Sequence, residues 1–419
     1  MAVAFLIVAI APRLKYVSPM IQRLRGSESD LSRHRQLFKY PGRPLFHSFH
    51  DRQPYRAINP ELELNHETWS DYLHDALDTD GDNSTNNTRV KVIILAKMRT
   101  GSSFLGELFN HHPDFFYLFE PFLVVNQMVR SGVLQKRKFT SEMIRLLGRL
   151  LNCDTSDYFV QYLNREKWMG LQQSNSISPG FTRKTFRELC NNQRHFSLKT
   201  IRVENIRDMW QYVRNASQNI KILHLVRDPR GMVHSRLKLK YLTNKRIYGM
   251  GGVMMDPQLI HTTRDTCQWM ARNAQEGFNG PFWVRNNYKL VRYEDLAEKP
   301  FKTAKEIFNF MNIPIHPNVY EWIGKNTGEE PQTKDKHKYP YQTKRNSKAT
   351  SQAWRSKLTA YAINAIENAC GQRIMSMFGY KILKDSKNLG NKSFTFVSPS
   401  VPVLPDYASL LDVSRADQL

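Results

Sequence analysis

The stretch VKVIILAKMRTGSSFLGELF, from Val90 to Phe109, decides the fold. Its first seven residues, Val90 to Ala96, form a short apolar run rich in β-branched side chains, which predicts a buried strand. After Ser103 the apolar residues recur at helical spacing, so the pattern predicts a strand, a tight loop and a helix. By itself this stretch fits an anion-binding loop and an ordinary polar loop of an α/β protein about equally.

The residues of the loop are suited to an anion. A helix N-terminus presents N–H groups without acceptors and the positive end of a dipole. Gly101 lets the backbone approach a ligand closely, and Thr100, Ser102 and Ser103 carry hydroxyl groups that can donate hydrogen bonds. Arg99 adds a fixed positive charge with a planar fork of donors. The loop therefore predicts a cradle for a phosphate or sulfate group.

A nucleotide hydrolase of the P-loop class is a less suitable interpretation. Its fingerprint, G-x-x-x-x-G-K-[ST], requires a first glycine five residues before the second and a lysine directly after it. Ala96 stands at the first position, and Ser102 rather than a lysine follows Gly101. The pattern argues against ATP with magnesium in the usual geometry.

Strand-like runs recur along the chain and alternate with helical patterns, which predicts an α/β fold with a central parallel sheet flanked by helices. The predicted strands are Val90–Ala96, Phe115–Phe119, Phe196–Leu198, Lys221–Val226 and Lys289–Val291, and two of the predicted helices are Thr140–Leu151 and Phe301–Met311.

A second motif, ILHLVRDPRGMVHSRL from Ile222 to Leu237, has the same arrangement as the first: a strand, a loop with an arginine and a helix. A strand ends at Val226, and Asp228 can cap a helix whose first residue is Pro229. Ser235 lies two helical turns after Asp228 and faces the same side. Arg227 and Ser235 can therefore grip one phosphate together, although a capped helix with a solvated arginine gives the same pattern.

The net charge of +23 over 419 residues predicts a polyanionic partner, which charge alone leaves open between nucleic acid, an anionic membrane surface and an acidic polysaccharide. The chain contains no C-x-x-C or H-E-x-x-H motif, so no metal site is predicted. Its four cysteines permit two disulfides in three connectivities, or buried free thiols.

The termini differ from the central part of the chain. Residues 1–12 contain a short apolar run that suits a signal peptide or a short membrane anchor. Residues 13–88 are polar and basic and are interpreted as a flexible stem, followed by a folded domain over 89–385 and a C-terminal tail over 386–419. Four N-x-[ST] sequons favour the secretory route.

Together the two motifs resemble the two cofactor sites of sulfotransferases, which use 3'-phosphoadenosine 5'-phosphosulfate (PAPS). The resemblance covers roughly residues 89–385 and is strongest to the Golgi carbohydrate 6-O-sulfotransferases, in particular those that sulfate keratan sulfate galactose and chondroitin. It is carried by RTGSSFLGELFN, FYLFEPF, LVRDPRGMVHSR, LVRYEDLAEKP, HKYPYQTKRNSKATSQAWRSKL and NACGQRIMSMFGYKI.

The resemblance implies a P-loop-like sulfotransferase fold, PAPS as sulfate donor without a metal, a glycan acceptor rather than nucleic acid, and a luminal place in the Golgi membrane or secretion. It implies that the 3'-phosphate is held by Arg227 and Ser235, with Arg345 as a lid residue. The rest of the cofactor set that it implies is Lys97, Arg99, Thr100, Gly101, Ser102, Ser103 and Phe104. Lys97 departs from the small hydroxyl residues usual there, and it can share the leaving-group role with Arg99.

Two residues are the candidates for catalysis. Arg99 can neutralise the charge that develops on the phosphate leaving group. Glu120 ends a predicted strand and is the candidate general base, with an ion-pairing glutamate as the alternative. His111, His112, His224 and His234 are weaker candidates, and His224 is interpreted as a core residue. The alternative function is a catalytically inactive, secreted protein that binds glycans or heparin.

Overall fold

The computed structural model describes residues 88–165, 182–243, 257–328, 346–391 and 393–399. Five strands form one sheet in the order β2-β3-β1-β4-β5, and every adjacent pair is parallel. The strands are β1 (Lys91–Leu95), β2 (Phe115–Phe119), β3 (His195–Thr200), β4 (Ile220–Val226) and β5 (Tyr288–Arg292). The predicted parallel α/β fold is confirmed.

Fifteen α-helices accompany the strands within the described ranges. Those up to β4 are α1 (Ser102–Asn110), α2 (Leu123–Arg130), α3 (Phe139–Leu151), α4 (Asp157–Arg165), α5 (Arg183–Asn192) and α6 (Trp210–Val213). Those that follow β4 are α7 (Pro229–Thr243), α8 (Pro257–Asn279), α9 (Phe282–Arg285), α10 (Tyr293–Glu298), α11 (Pro300–Phe310), α12 (Pro317–Thr327), α13 (Ser347–Gln352), α14 (Ala360–Cys370) and α15 (Gln372–Met377).

The side chains of β1 alternate between two hydrophobic layers. Ile93 and Leu95 belong to the layer that contains α3 and α8, whereas Val92 and Ile94 belong to the layer that contains α1, α11 and α12. Period-two alternation places successive side chains on opposite faces of a sheet. Because both faces are covered, the strand is apolar along its whole length, as parallel sheets require.

The strand order creates a switch point at the carboxyl edge of the sheet. From β1 the chain continues on one side to β2 and β3, and then crosses to β4 on the other side of β1. Ligands of open α/β sheets bind at such a switch point, beyond the carboxyl ends of the strands. Both sequence motifs begin here, because Leu95 of β1 lies opposite His224, near the end of β4.

A third hydrophobic layer ties the C-terminal segment to α7. Trp354, Ile363 and Phe396 pack with Val233 of α7. Tyr380 pairs with Val397 in an antiparallel bridge, and residues Ser386–Leu389 form a 3-10 helix. The first residues of the predicted tail are therefore packed against the domain, whereas 392 and 400–419 lie outside the described residues.

Two disulfides cross-link the chain, so all four cysteines are paired. Cys153 bonds to Cys190, which joins the end of α3 to α5, and Cys267 of α8 bonds to Cys370 of α14. This pairing resolves the three connectivities that the sequence left open. The search for a helix long and apolar enough to cross a membrane, made over the described ranges alone, found none. The predicted signal or anchor and nearly all of the predicted stem lie outside those ranges.

Candidate active site

The loop from Lys97 to Gly101 joins β1 to α1 with two residues in the left-handed region. Arg99 has a φ of 73° and Gly101 a φ of 96°. Gly101 is the N-cap of α1, and its carbonyl oxygen accepts from the N–H groups of Phe104 and Leu105. Because glycine has no side chain to cap the helix, it leaves the N–H groups of Ser102 and Ser103 uncapped. The Thr100 hydroxyl donates to the Lys97 carbonyl oxygen at 2.8 Å and closes the loop on itself. An open helix N-terminus of this kind is suited to an anion.

Tyr293, the first residue of α10, explains why a glycine occupies position 101. A Cβ atom built on Gly101 would lie 2.2 Å from Cδ2 of the Tyr293 ring, which is too close for any real contact. The Arg227 guanidinium lies over the same ring, 4.1 Å from its centroid. Tyr293 therefore packs between the two motifs and keeps their spacing.

The two predicted motifs meet directly. Arg99 donates from Nε to the Ser235 hydroxyl at 2.9 Å, and Arg227 donates from Nη1 to the carbonyl oxygen of Arg99 at 3.0 Å. Ser235 was expected to work beside Arg227, and the structure brings both to Arg99. Their predicted role at the 3'-phosphate stays a prediction.

Arg236, the next residue of α7, is a member of the site that the sequence reasoning missed. It is 6% exposed and donates from Nη2 to the carbonyl oxygen of Met98 and to the Thr266 hydroxyl. Burial, followed by the nearby charge of Arg99, lowers the pKa of Arg236 to about 10. The sequence pattern of the second motif did not single out Arg236, because its contact with Met98 depends on how α7 packs against the first loop.

Glu120 lies at the carboxyl end of β2 and is held by two cations. Its side chain is buried and contacts the Lys199 ammonium at 2.5 Å and the guanidinium of Arg202. Burial, with a smaller contribution from Arg99, lowers the pKa of Lys199 to about 7. The structure thus contains the ion-pairing arrangement that was weighed against the general-base role.

Lys199 and Arg202 come from the end of β3 and the loop after it, which the strand order inserts between β1 and β2. The sequence signal for Lys199 was weak, since a single polar residue near a strand end is common. Lys97 turns away from this group: its ammonium donates to Glu204 at 2.5 Å and lies over the Trp269 ring. Its predicted contribution to the leaving group stays a prediction.

The electrostatic balance of the site favours an anionic ligand. Arg99, Arg227, Arg236, Lys199 and Arg202 converge around the switch point. Two buried arginines retain donors that find no partner among the residues the structure describes, namely Nε of Arg227 and both Nε and Nη1 of Arg236. Unsatisfied buried N–H groups are costly, and an anion with several oxygens would satisfy them. The residues present therefore fit a multiply charged cofactor such as PAPS.

A buried network of hydrogen bonds and ion pairs supports the second motif. The backbone N–H of Asp228 donates to Glu294, and the Tyr380 hydroxyl donates to the same carboxyl group. Arg230 is fully buried, pairs with Asp228 and Glu367, and lies over the Trp354 ring. Trp354 is thus a core residue, and this network fixes the turn that carries Arg227.

The histidines are placed as follows. His224 is fully buried and bonds the Tyr288 hydroxyl, which confirms its core role. His234 is half-buried, and burial followed by the charges of Arg227, Lys238 and Lys357 lowers its pKa to about 4. His111 and His112 lie at the far end of α1.

Of the remaining predicted residues, Ser102 is buried, Ser103 is half-buried, and Phe104 packs against Trp322. Arg345 lies outside the described residues. The described ranges contain no group of three or more His, Cys, Asp or Glu side chains that could hold a metal ion.

Comparison with known proteins agrees with this geometry. Residues 89–379 match the protein family described as "Sulfotransferase domain". Carbohydrate sulfotransferase 1 of Mus musculus is 32% identical over 352 residues, covering 74% of this chain and 84% of that protein. Carbohydrate sulfotransferase 3 of Mus musculus is 29% identical over 347 residues, covering 74% and 72%.

Among solved structures, the sulfotransferase domain of the Synechococcus PCC 7002 olefin synthase is 17% identical with a TM-score of 0.39, covering 70% of this chain and 98% of that one. Mouse sulfotransferase SULT7A1 complexed with PAP is 13% identical with a TM-score of 0.36, covering 67% and 82%.

Proposed function

Because the chain belongs to the sulfotransferase family, as its match over residues 89–379 and its carbohydrate sulfotransferase relatives show, we propose that it is a PAPS-dependent carbohydrate 6-O-sulfotransferase. The acceptor is the 6-hydroxyl of galactose, N-acetylgalactosamine or N-acetylglucosamine in a glycosaminoglycan or glycoprotein glycan. The observation that carries this proposal is the meeting of the two motifs, in which Arg227 and Ser235 both contact Arg99.

The residues divide the binding work between the two ends of the cofactor. The open N-terminus of α1 and the Arg99 guanidinium suit the 5'-phosphosulfate end, and Arg227 with its free Nε suits the 3'-phosphate. When bound, the cofactor supplies a sulfuryl group on a phosphate leaving group. Arg99 is preorganised by Ser235 to neutralise the charge that develops there, with no reorganisation at the moment of reaction.

Glu120 is the proposed base for the acceptor hydroxyl. Its carboxylate is held by two cations, Lys199 and Arg202, which occupy both of its oxygens. We propose that Lys199 holds the carboxylate in place, and that the acceptor hydroxyl displaces Arg202, the more exposed of the two partners. Displacement of Arg202 would leave one carboxylate oxygen free to accept the proton of the hydroxyl group.

The proposed location is the Golgi lumen, with secretion as the alternative. Two disulfides are typical of proteins that fold in an oxidising compartment, and this supports the secretory route. Residues 1–12 are proposed as a signal peptide or short anchor, 13–88 as a stem, 89–385 as the catalytic domain and 386–419 as a C-terminal tail. The excess of positive charge suits an acidic glycan acceptor.

The proposal is tested by transfer of labelled sulfate from PAPS, without added metal, to desulfated keratan, chondroitin and an oligosaccharide that ends in N-acetylglucosamine. Labelling of one acceptor identifies the sugar. Glu120→Gln should lower the rate by about 10²–10⁴-fold, whereas Glu298→Gln, an exposed glutamate on α10, should leave it unchanged.

Absence of labelling on all three acceptors, with the polymers still bound, would contradict the enzyme proposal and favour the inactive glycan-binding protein. Binding of 3',5'-adenosine bisphosphate (PAP) without magnesium separates both from a nucleotide kinase, which should instead bind ATP with magnesium.

A further inference from the structure

Two arginines of the second motif hold consecutive carbonyl groups of the first loop. Arg227 donates a hydrogen bond to the carbonyl oxygen of Arg99 at 3.0 Å, and Arg236 donates one to the carbonyl oxygen of Met98 at 3.3 Å. In a trans peptide the C=O and the following N–H point in opposite directions. By turning the Met98 carbonyl toward α7, Arg236 therefore turns the backbone N–H of Arg99 away from α7. This contact sets the direction of a donor in the anion loop.

The loop needs such support because Arg99 adopts a conformation that L residues avoid. Its φ of 73° lies in the left-handed region, which costs a residue with a side chain roughly 1–2 kcal/mol. Residues in such conformations persist only where the surroundings hold them. The two carbonyl contacts bracket Arg99, because one precedes it and the other is its own.

Arg236 also carries a charge for which the described part of the chain supplies no acidic partner. The acceptors recorded for it within the described residues are neutral: the Met98 carbonyl oxygen, the Thr266 hydroxyl and the Met232 sulfur. Its Nε and Nη1 are buried and have no partner among the described residues, and its pKa is lowered first by burial and then by the neighbouring charge of Arg99. A buried cation beside another cation is unfavourable in the ligand-free protein, and a bound anion relieves this repulsion.

We propose that Arg236 is a positioning residue for sulfate transfer: it fixes the Met98–Arg99 peptide and so aligns Arg99, and its charge contributes to cofactor affinity. The inference rests on the proposed function, because transfer is the activity that alignment of Arg99 serves. It assigns two separable tasks to one side chain. The charge acts on cofactor binding, and the planar fork, which spans Met98 and Thr266, acts on the rate of transfer.

Lysine and methionine variants of the full chain separate the two tasks. Arg236→Lys keeps the charge but cannot span both acceptors, so PAP affinity should stay within about threefold of wild type while kcat falls about tenfold or more. Arg236→Met should lose about tenfold in PAP affinity as well as in kcat. Arg264→Met removes an exposed charge from α8 and should change neither quantity.

Calorimetric titration with PAP, steady-state kinetics and urea unfolding of each variant supply the readouts. Wild-type kcat in Arg236→Lys would overturn the positioning role, as would an equal loss of kcat, PAP affinity and folding stability in both variants. Thr266→Val keeps the arginine and removes one acceptor; it should lower kcat about fivefold and carries the test if the Arg236 variants do not fold. Absence of transfer by the wild type would instead count against the proposed function, while the PAP titrations still report on the charge of Arg236.

Discussion

Replacement of Gly101 by alanine should destabilise the protein through two effects that the structure separates. A φ of 96° is unfavourable for any residue with a Cβ atom, at a cost of about 1–2 kcal/mol. The new methyl group would also lie 2.2 Å from the Tyr293 ring, which is 5% exposed and lies beneath Arg227. Overpacking of this kind typically costs about 1–3 kcal/mol. The expected loss in the free energy of unfolding is therefore about 2–5 kcal/mol.

Gly132 offers a matched control for the strain alone. Its φ is 76°, and a Cβ atom there would meet nothing within 4 Å. Gly132→Ala should therefore lower the free energy of unfolding by only about 1–2 kcal/mol. Urea unfolding of both variants measures the difference, which reports the Tyr293 contact. Repeating the unfolding with excess PAP adds a second readout, since a ligand that binds only the folded state stabilises it by about 2.7 kcal/mol at one hundred times its Kd.

We expect Gly101→Ala to lose part of that PAP-induced stabilisation, because a displaced Tyr293 ring would move the Arg227 guanidinium that lies over it. Gly132→Ala should keep it in full. If the two variants lose the same free energy of unfolding and bind PAP equally well, then Tyr293 does not support the loop.

Two further predictions concern stability. Burial raises the pKa of the Glu107 carboxyl from 4.5 to about 7, so between these pH values the folded protein holds a proton that the unfolded chain releases. The contribution of this proton to the free energy of unfolding is complete below about pH 4.5. It is lost as the pH rises through 7, which lowers the free energy of unfolding by about 3 kcal/mol. Glu107→Gln should remove that slope, and urea unfolding of both proteins at pH 5 and pH 8 checks it, with parallel slopes counting against it. Loss of the Cys267–Cys370 disulfide, which closes a 103-residue separation, should cost about 5 kcal/mol, against about 4 kcal/mol for the 37-residue separation of Cys153 and Cys190. Unfolding of the two double alanine variants tests this, and a larger loss for the shorter loop would contradict it.

The elements of the fold were predictable because their signals are local. The run Phe115–Phe119 is a strand with the predicted bounds, and the predicted helix Thr140–Leu151 begins one residue earlier, at Phe139. The predicted strand Phe196–Leu198 is longer, His195–Thr200, since its polar ends gave no apolar signal. Strand order was not predictable in this way, because the placement of β3 between β1 and β2 depends on packing over a long sequence separation.

The site was predictable only in part for the same reason. Arg99 and Arg227 lie in loops whose sequence pattern predicts an anion-binding site, and the structure brings the two residues into contact. Lys199 and Arg236 lie within a strand and a helix as isolated polar residues, and nothing in their local sequence distinguishes them from solvated side chains. Helical spacing correctly predicted the face of α7 that carries Ser235. It could not predict that Arg99 donates a hydrogen bond to Ser235, because that contact joins two distant motifs.

The pairing of the cysteines has a consequence for the order in which the protein is made. The first cysteine bonds to the second and the third to the fourth, so one disulfide can close before the third thiol has been synthesised. The hydrogen bond from Arg230 to the carbonyl oxygen of Lys381 forms much later, because Lys381 follows Arg230 by 151 residues. At about 5–20 residues per second, translation takes roughly 8 to 30 s to supply that partner. A nascent chain that ends before Tyr380 therefore carries both anion-binding motifs but lacks the part of the buried network that Tyr380 and Lys381 supply, and it should gain its cofactor only near the end of its synthesis.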